Sequence, residues 1–175
     1  MFQLHYQNRI YSHAQDFQNP EETLPDFVQA AFSFCEAWLS GEEIYIQETS
    51  GSTGIPKKLS IPRNQMIASA EATGSFLKAS ANWKLLCCLN PAYIAGKMML
   101  VRAMTLGWHL DLVEPSTMPL KKSEKCYDFS AMSPLQVSKS LEHLHKTRKV
   151  IIGGGAVSQN LVENLQGKQT RAYHT

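Results

Sequence analysis

A chain of 175 residues with 43% apolar and 18% charged side chains is too apolar for intrinsic disorder and long enough to bury a core. Its net charge of +2, without a long basic run, gives nucleic-acid binding no electrostatic support. No apolar run approaches the roughly 20 residues of a membrane helix, no apolar leader opens the chain, and Cys35, Cys87, Cys88 and Cys126 lack metal or redox spacing; a soluble cytoplasmic protein with reduced thiols and no membrane insertion is expected.

In chain order, residues 1–20 are polar, with a short strand or hairpin expected around Phe2–Tyr11. "PDFVQAAFSFCEAWLSG" repeats apolar residues three and four apart between Pro25 and Gly41, which predicts a helix over about 25–40. "EEIYIQE" (42–48) alternates as a strand does, and after a Ser/Gly-rich loop Pro62 opens a helix to about Ala79. "WKLLCCLN" (83–90) reads as a buried strand that sends Cys87 and Cys88 to opposite faces. "AYIAGKMMLVRAMTLG" is a helix ending at Gly107, and "HLDLVE" a strand. The basic cluster Lys121–Lys125 is interrupted by Glu124 and reads as a solvated loop. "YDFSAM" (127–132) is a strand, Ser133-Pro134 caps a helix over 135–145, "KVIIGG" is a strand, "SQNLVENLQG" a short helix and "TRAYHT" a last strand. Strands alternating with helices predict an α/β fold with a mainly parallel sheet flanked by helices. Residues 1–42 read as a short N-terminal region and 43–175 as the α/β core; the stop at Thr175, in mid-strand, fits a piece of a larger protein.

The segment "TSGSTGIPK" carries the chemistry. Glycines at 51 and 54 let a backbone approach a phosphate, the hydroxyls of Thr49, Ser50, Ser52 and Thr53 donate to phosphate oxygens, Lys57 adds positive charge, and Pro56 stiffens the exit. A loop leaving a strand and entering a helix suits an anion. The Walker loop does not fit: it demands glycine at 56 and Ser or Thr at 58, where this chain has Pro56 and Lys58.

The segment instead resembles the signature of the adenylate-forming superfamily of acyl-CoA synthetases, peptide-synthetase adenylation domains and luciferases, matching at Thr49, Ser50, Gly51, Ser52, Thr53, Gly54, Pro56 and Lys57. It departs at Lys58, where glycine is usual. "KVIIGGGAVSQNLVENL" is similar to the segment that lines the adenine pocket in this superfamily, with Gly153, Gly154 and Gly155 in place; the same glycines also suit a plain strand-to-helix turn. "FSAMSPLQV" resembles the strand and turn that usually read "VPTQL", and "RAYHT" the lead-in to a "YGxTE" motif, whose own residues are not in this sequence. Aligning Gly96, Arg102 and Gly107 puts Tyr93 where the superfamily has a histidine; aligning prolines puts Ile94 there.

The resemblance implies that ATP, with Mg²⁺, activates a small-molecule carboxylic acid as an acyl-adenylate, and that coenzyme A then displaces AMP. By it, Thr49 and Lys57 are the catalytic residues, Thr49, Ser50, Gly51, Ser52, Thr53, Gly54 and Lys57 hold the phosphates, and Gly153 to Gly155 bed the adenine. Tyr93, Gly96 and Arg102 would line the acyl pocket. The short form most resembles the o-succinylbenzoate–CoA ligases of menaquinone biosynthesis, whose substrate keeps one carboxylate. Arg102, a lone cation in an apolar helix, either clamps that carboxylate or snorkels to the surface; Lys97 is a second candidate for the clamp. Other aryl or alkyl acids, or a non-catalytic nucleotide-binding fragment, are the alternatives, and a homo-oligomer is compatible with either. His143 and His145, two apart, do not form a metal pair, and His174 could border the site.

Overall fold

Short strands buried on one face or on both set the frame, seen in a computed structural model that describes residues 1–18, 24–49 and 57–175, the side chains of Thr49 and Lys57 excepted. The large sheet contains β1 (Gln3–Tyr6), β2 (Arg9–Tyr11), β5 (Lys84–Cys87), β6 (His109–Leu112), β7 (Tyr127–Met132), β8 (Thr147–Ile152) and β9 (Arg171–His174). Their order is β2-β1-β6-β5-β7-β8-β9, and only the β1–β2 pair is antiparallel. The hairpin expected at Phe2–Tyr11 is therefore present, and its first strand joins the large sheet beside β6.

Helices cover both faces. Leu4, Leu85, Cys87, Leu110 and Phe129 pack with α1 (Asp26–Leu39), α2 (Arg63–Phe76) and α3 (Ile94–Leu106), while Leu86, Cys88, Val150 and Ile152 pack under α4 (Pro134–Lys139) and α5 (Gln159–Leu165). Cys87 and Cys88 thus face opposite cores, as strand geometry requires. Among the described residues no helix is long and apolar enough to cross a membrane.

The chain order makes a switch point. From β5 the chain passes through α3 to β6 on one side, then returns across β5 to β7 and goes on through α4 to β8 on the other. Ligands of open parallel sheets bind in the crevice outside the carboxyl ends of strands at such a point.

Three expectations fail. The loop at 49–57 does not run from a strand of the parallel sheet into a helix: β3 (Ile44–Thr49) pairs antiparallel with β4 (Lys57–Pro62) in a separate two-stranded sheet, with Thr49 opposite Lys57. The helix opened by Pro62 follows only after β4 and stops at Phe76, short of Ala79. The helix expected over 135–145 ends at Lys139, because Ser138 and Ser140 are weak helix formers and Leu144 turns inward, fully buried, on a 3₁₀ turn (Leu144–Lys146).

Candidate functional site

Three connections meet at the carboxyl edge of the sheet. The chain leaving β5 makes a tight turn in which the Asn90 side chain accepts from the Ala92 N–H at 2.9 Å and the Asn90 carbonyl from the Tyr93 N–H at 3.1 Å. Helix α3 starts directly on this turn. A Cβ on Gly96 would lie 2.4 Å from the Asn90 carbonyl oxygen, so only glycine allows the helix to sit so close. Tyr93, at the N-cap of α3, is 67% exposed and stands on the rim.

The chain leaving β8 carries the three glycines. Gly153 N–H donates to the Met132 carbonyl at 3.1 Å, Gly154 has φ of +79°, and a Cβ on Gly155 would lie 3.7 Å from the Pro134 ring. The turn therefore lies flat against the start of α4, with Gly154 and Gly155 exposed. Thr175, at the end of β9, closes its far side: its N–H donates to the Ile152 carbonyl. Only β7 separates β5 from β8, so Tyr93 and the glycine turn leave strands about 10 Å apart, two strand spacings.

Between them, Ser133 caps α4 and forms a capping box with Gln136. The Gln136 side chain, buried, also donates to the Cys88 and Ser116 carbonyls at 3.1 and 2.9 Å, fastening α4 to the end of β5. Sequence reading missed Gln136; its place three residues after Ser133 was the signal.

The segment expected to hold phosphates begins and ends on the hairpin strands β3 and β4. Thr49 and Lys57 are paired strand ends, while Ser50, Gly51, Ser52, Thr53 and Gly54 lie outside the described residues. At the hairpin base, Arg63 Nη1 donates to the Trp38 carbonyl at 2.7 Å and its guanidinium covers the Trp38 ring at 4.1 Å. Nearer the paired ends, the buried Gln47 carboxamide accepts from Lys97 Nζ at 2.8 Å and donates to the Ala92 carbonyl at 3.3 Å.

Arg102 lies eight residues into α3, about 12 Å below its start. Its side chain turns back toward that start, with Nη1 3.8 Å from Met99 Sδ, and its Nε is buried without a hydrogen-bond partner. Thr105 Oγ1, one turn on along the same face, is buried and unpartnered too. No carboxylate pairs with Arg102 among the described residues, and burial alone lowers its pKa to about 10. Lys97 is likewise held below the ordinary lysine value by burial.

Other groups do not converge here. Burial pushes the Cys87 thiol up to about 12 and raises Cys35 and Cys88 further, which makes them poor nucleophiles. His143 precedes and His145 lies on the 3₁₀ turn below α4, and His174 is exposed at the end of β9. A cavity of about 680 Å³ under the β6–β7 loop, lined by Val113, Ser116, Met118, Lys121 and Tyr127 among others, meets the site at Ser116, whose carbonyl accepts from Gln136. Among the described residues no three His, Cys, Asp or Glu side chains could together hold a metal ion.

No family model matches this sequence, and no curated protein does. Solved structures do. An acyl-CoA synthetase (AMP-forming)/AMP-acid ligase II-like protein from Dyadobacter fermentans is 34% identical over 93% of this chain, with a TM-score of 0.82. O-succinylbenzoate coenzyme A synthetase from Bacillus subtilis, solved with AMP and with ATP and magnesium, is 20% identical over 73% of it, with a TM-score of 0.63. The N-terminal subdomain of NpsA from Klebsiella oxytoca, bound to 3-hydroxyanthranilyl-AMSN, is 23% identical over 74%, with a TM-score of 0.61. This chain spans 49%, 28% and 36% of those polypeptides. The fold is that of the N-terminal part of adenylate-forming enzymes.

Proposed function

We propose that this chain is the nucleotide-binding portion of an AMP-forming acid–CoA ligase. The observation that carries the reading is the likeness to the Dyadobacter fermentans synthetase across 93% of the chain, beside the "TSGSTGIPK" segment in its sequence. In the first step a carboxylate oxygen attacks the α-phosphorus of ATP and pyrophosphate leaves. In the second the sulfur of coenzyme A attacks the acyl carbon, AMP leaves, and the thiol proton is released. Thr49, Ser50, Ser52, Thr53 and Lys57 would grip the β- and γ-phosphates, with Gly51 and Gly54 admitting them closely, so that charge stabilisation and alignment supply the catalysis. ATP would enter as its magnesium complex, the ion being carried largely by the phosphates. Gly153 to Gly155 would bed the adenine beside Pro134, and Tyr93 would gate the acyl pocket above Gly96.

The acid itself is read from Arg102. An unpaired guanidinium with an orphaned Nε is expensive to bury unless a ligand anion completes it. A dicarboxylic aryl acid such as o-succinylbenzoate offers that anion in the carboxylate it retains. Pyrophosphate release by the full-length protein, measured over a panel of aryl and alkyl acids with and without coenzyme A, tests the reading. Acid-dependent release, strongest for the dicarboxylate, is expected; no acid-dependent release overturns it. Arg102→Gln should raise KM for the dicarboxylic acid about a hundredfold and for benzoate-like acids little, since a buried charged hydrogen bond is at stake. Equal effects on both acids sink the clamp.

A further inference from the structure

Lys97 was a second candidate for the carboxylate clamp, and its contacts point elsewhere. Its ammonium is half-buried, stands 5.5 Å from the centre of the Phe34 ring, and pairs with no carboxylate among the described residues. Its hydrogen-bond partner is the neutral amide of Gln47, which is 6% exposed and also bonded to the Ala92 and Glu48 carbonyls. One carboxamide thus joins three pieces: strand β3, the turn leaving β5, and the first turn of α3. Gln47 precedes Thr49 by two residues, about 7 Å along the strand. The ammonium therefore anchors the hairpin just short of the paired ends Thr49 and Lys57. A carboxylate at 47 would bind the lysine more strongly but could not donate to the Ala92 carbonyl; the amide does both.

We propose that Gln47 and Lys97 are positioning residues that fix the hairpin against the turn at 90–93, and so set where its paired ends, Thr49 and Lys57, stand relative to Tyr93 and Gly96. This rests on the ligase reading only in what those ends would help to hold. In the full-length protein, Lys97→Met and Gln47→Leu should each raise KM for ATP about tenfold while KM for the acid changes less than about twofold. The double variant should be no worse than the worse single one, because one contact is lost in all three. Gln47→Glu, which keeps the acceptor for Lys97 but loses the donor to the Ala92 carbonyl, should recover only part of the ATP affinity. Unchanged KM for ATP, additive losses, or a rise confined to the KM of the acid overturns the proposal. Amide hydrogen exchange separates the two readings: Lys97→Met should speed exchange at Ile46 to Glu48 whether or not ATP binds. Protein that binds no ATP but shows this acceleration refutes the ligase reading alone; exchange unchanged in the variant refutes the positioning role.

Discussion

Strand β7 has a parallel neighbour on each edge and a buried core on each face, whereas among the described residues β3 and β4 have only each other as strand partners. Phe129 on β7 is fully buried, and the next residue, Ser130, is buried against the Thr147 hydroxyl of β8. Ile44 and Ile46 on β3 are 55% and 53% exposed, and the ribbon is held by a few side chains, chiefly Tyr45, Gln47 and Arg63. An isolated two-stranded ribbon is marginal in water. The large sheet owes its shape to apolar burial and the ribbon to point contacts, so the two can be perturbed separately.

Phe129→Ala should have the largest effect, about 3–5 kcal/mol of lost stability, with the whole molecule unfolding at lower urea. A loss under about 1 kcal/mol would mean the sheet is not the stable half. Gly96→Ala should cost about 1–3 kcal/mol by the same measurement, because the added methyl meets backbone rather than a movable side chain. Arg63→Met should cost about 1–2 kcal/mol and, more tellingly, speed amide exchange in β3 and β4 while β7 and β8 keep their protection. Equal acceleration in both sheets would erase the contrast. Arg102→Met should leave stability within about 1 kcal/mol or raise it, since no partner carboxylate is stranded, and the loss should fall on acid activation instead.

The smallest effect concerns pH. Burial holds Lys97 below its ordinary value, so the native protein releases that proton before the unfolded chain does. The cost of burying the ammonium is full at neutral pH and is relieved as pH climbs through the native value toward about 10.4, the unfolded one. The urea midpoint of the unaltered protein should therefore gain on that of Lys97→Met as pH rises toward about 10.4, the unfolded value. A constant gap would show an ordinary surface lysine.

The large sheet was readable because its signals are local. The β7 run "YDFSAM" opens on Tyr127 and Phe129 two apart and stops at the Ser133-Pro134 start of α4, and Gly107 ends α3 in the left-handed conformation such a position favours. Strand β4 was not readable. "KKLSIP" is rich in lysine and proline, and it becomes a strand only because it pairs with β3; the cross-strand pair of Glu48 and Lys58, 3.7 Å apart, was the hint. In the candidate site, Gly96, Gly153 to Gly155 and Arg102 stood out by residue type. Gln47 did not: its importance comes from sharing a buried face with Tyr45 and meeting a helix fifty residues on, which no local window contains.

Placing Cys87 and Cys88 in opposite cores has a practical use. Neither thiol meets solvent in the folded protein, while Cys126 does. A maleimide pulse should label Cys126 at once and the vicinal pair only when a layer of helices lifts away. Mass mapping of a briefly labelled sample would then show which side of the sandwich comes apart first, from the thiols of two consecutive residues and without any engineered probe.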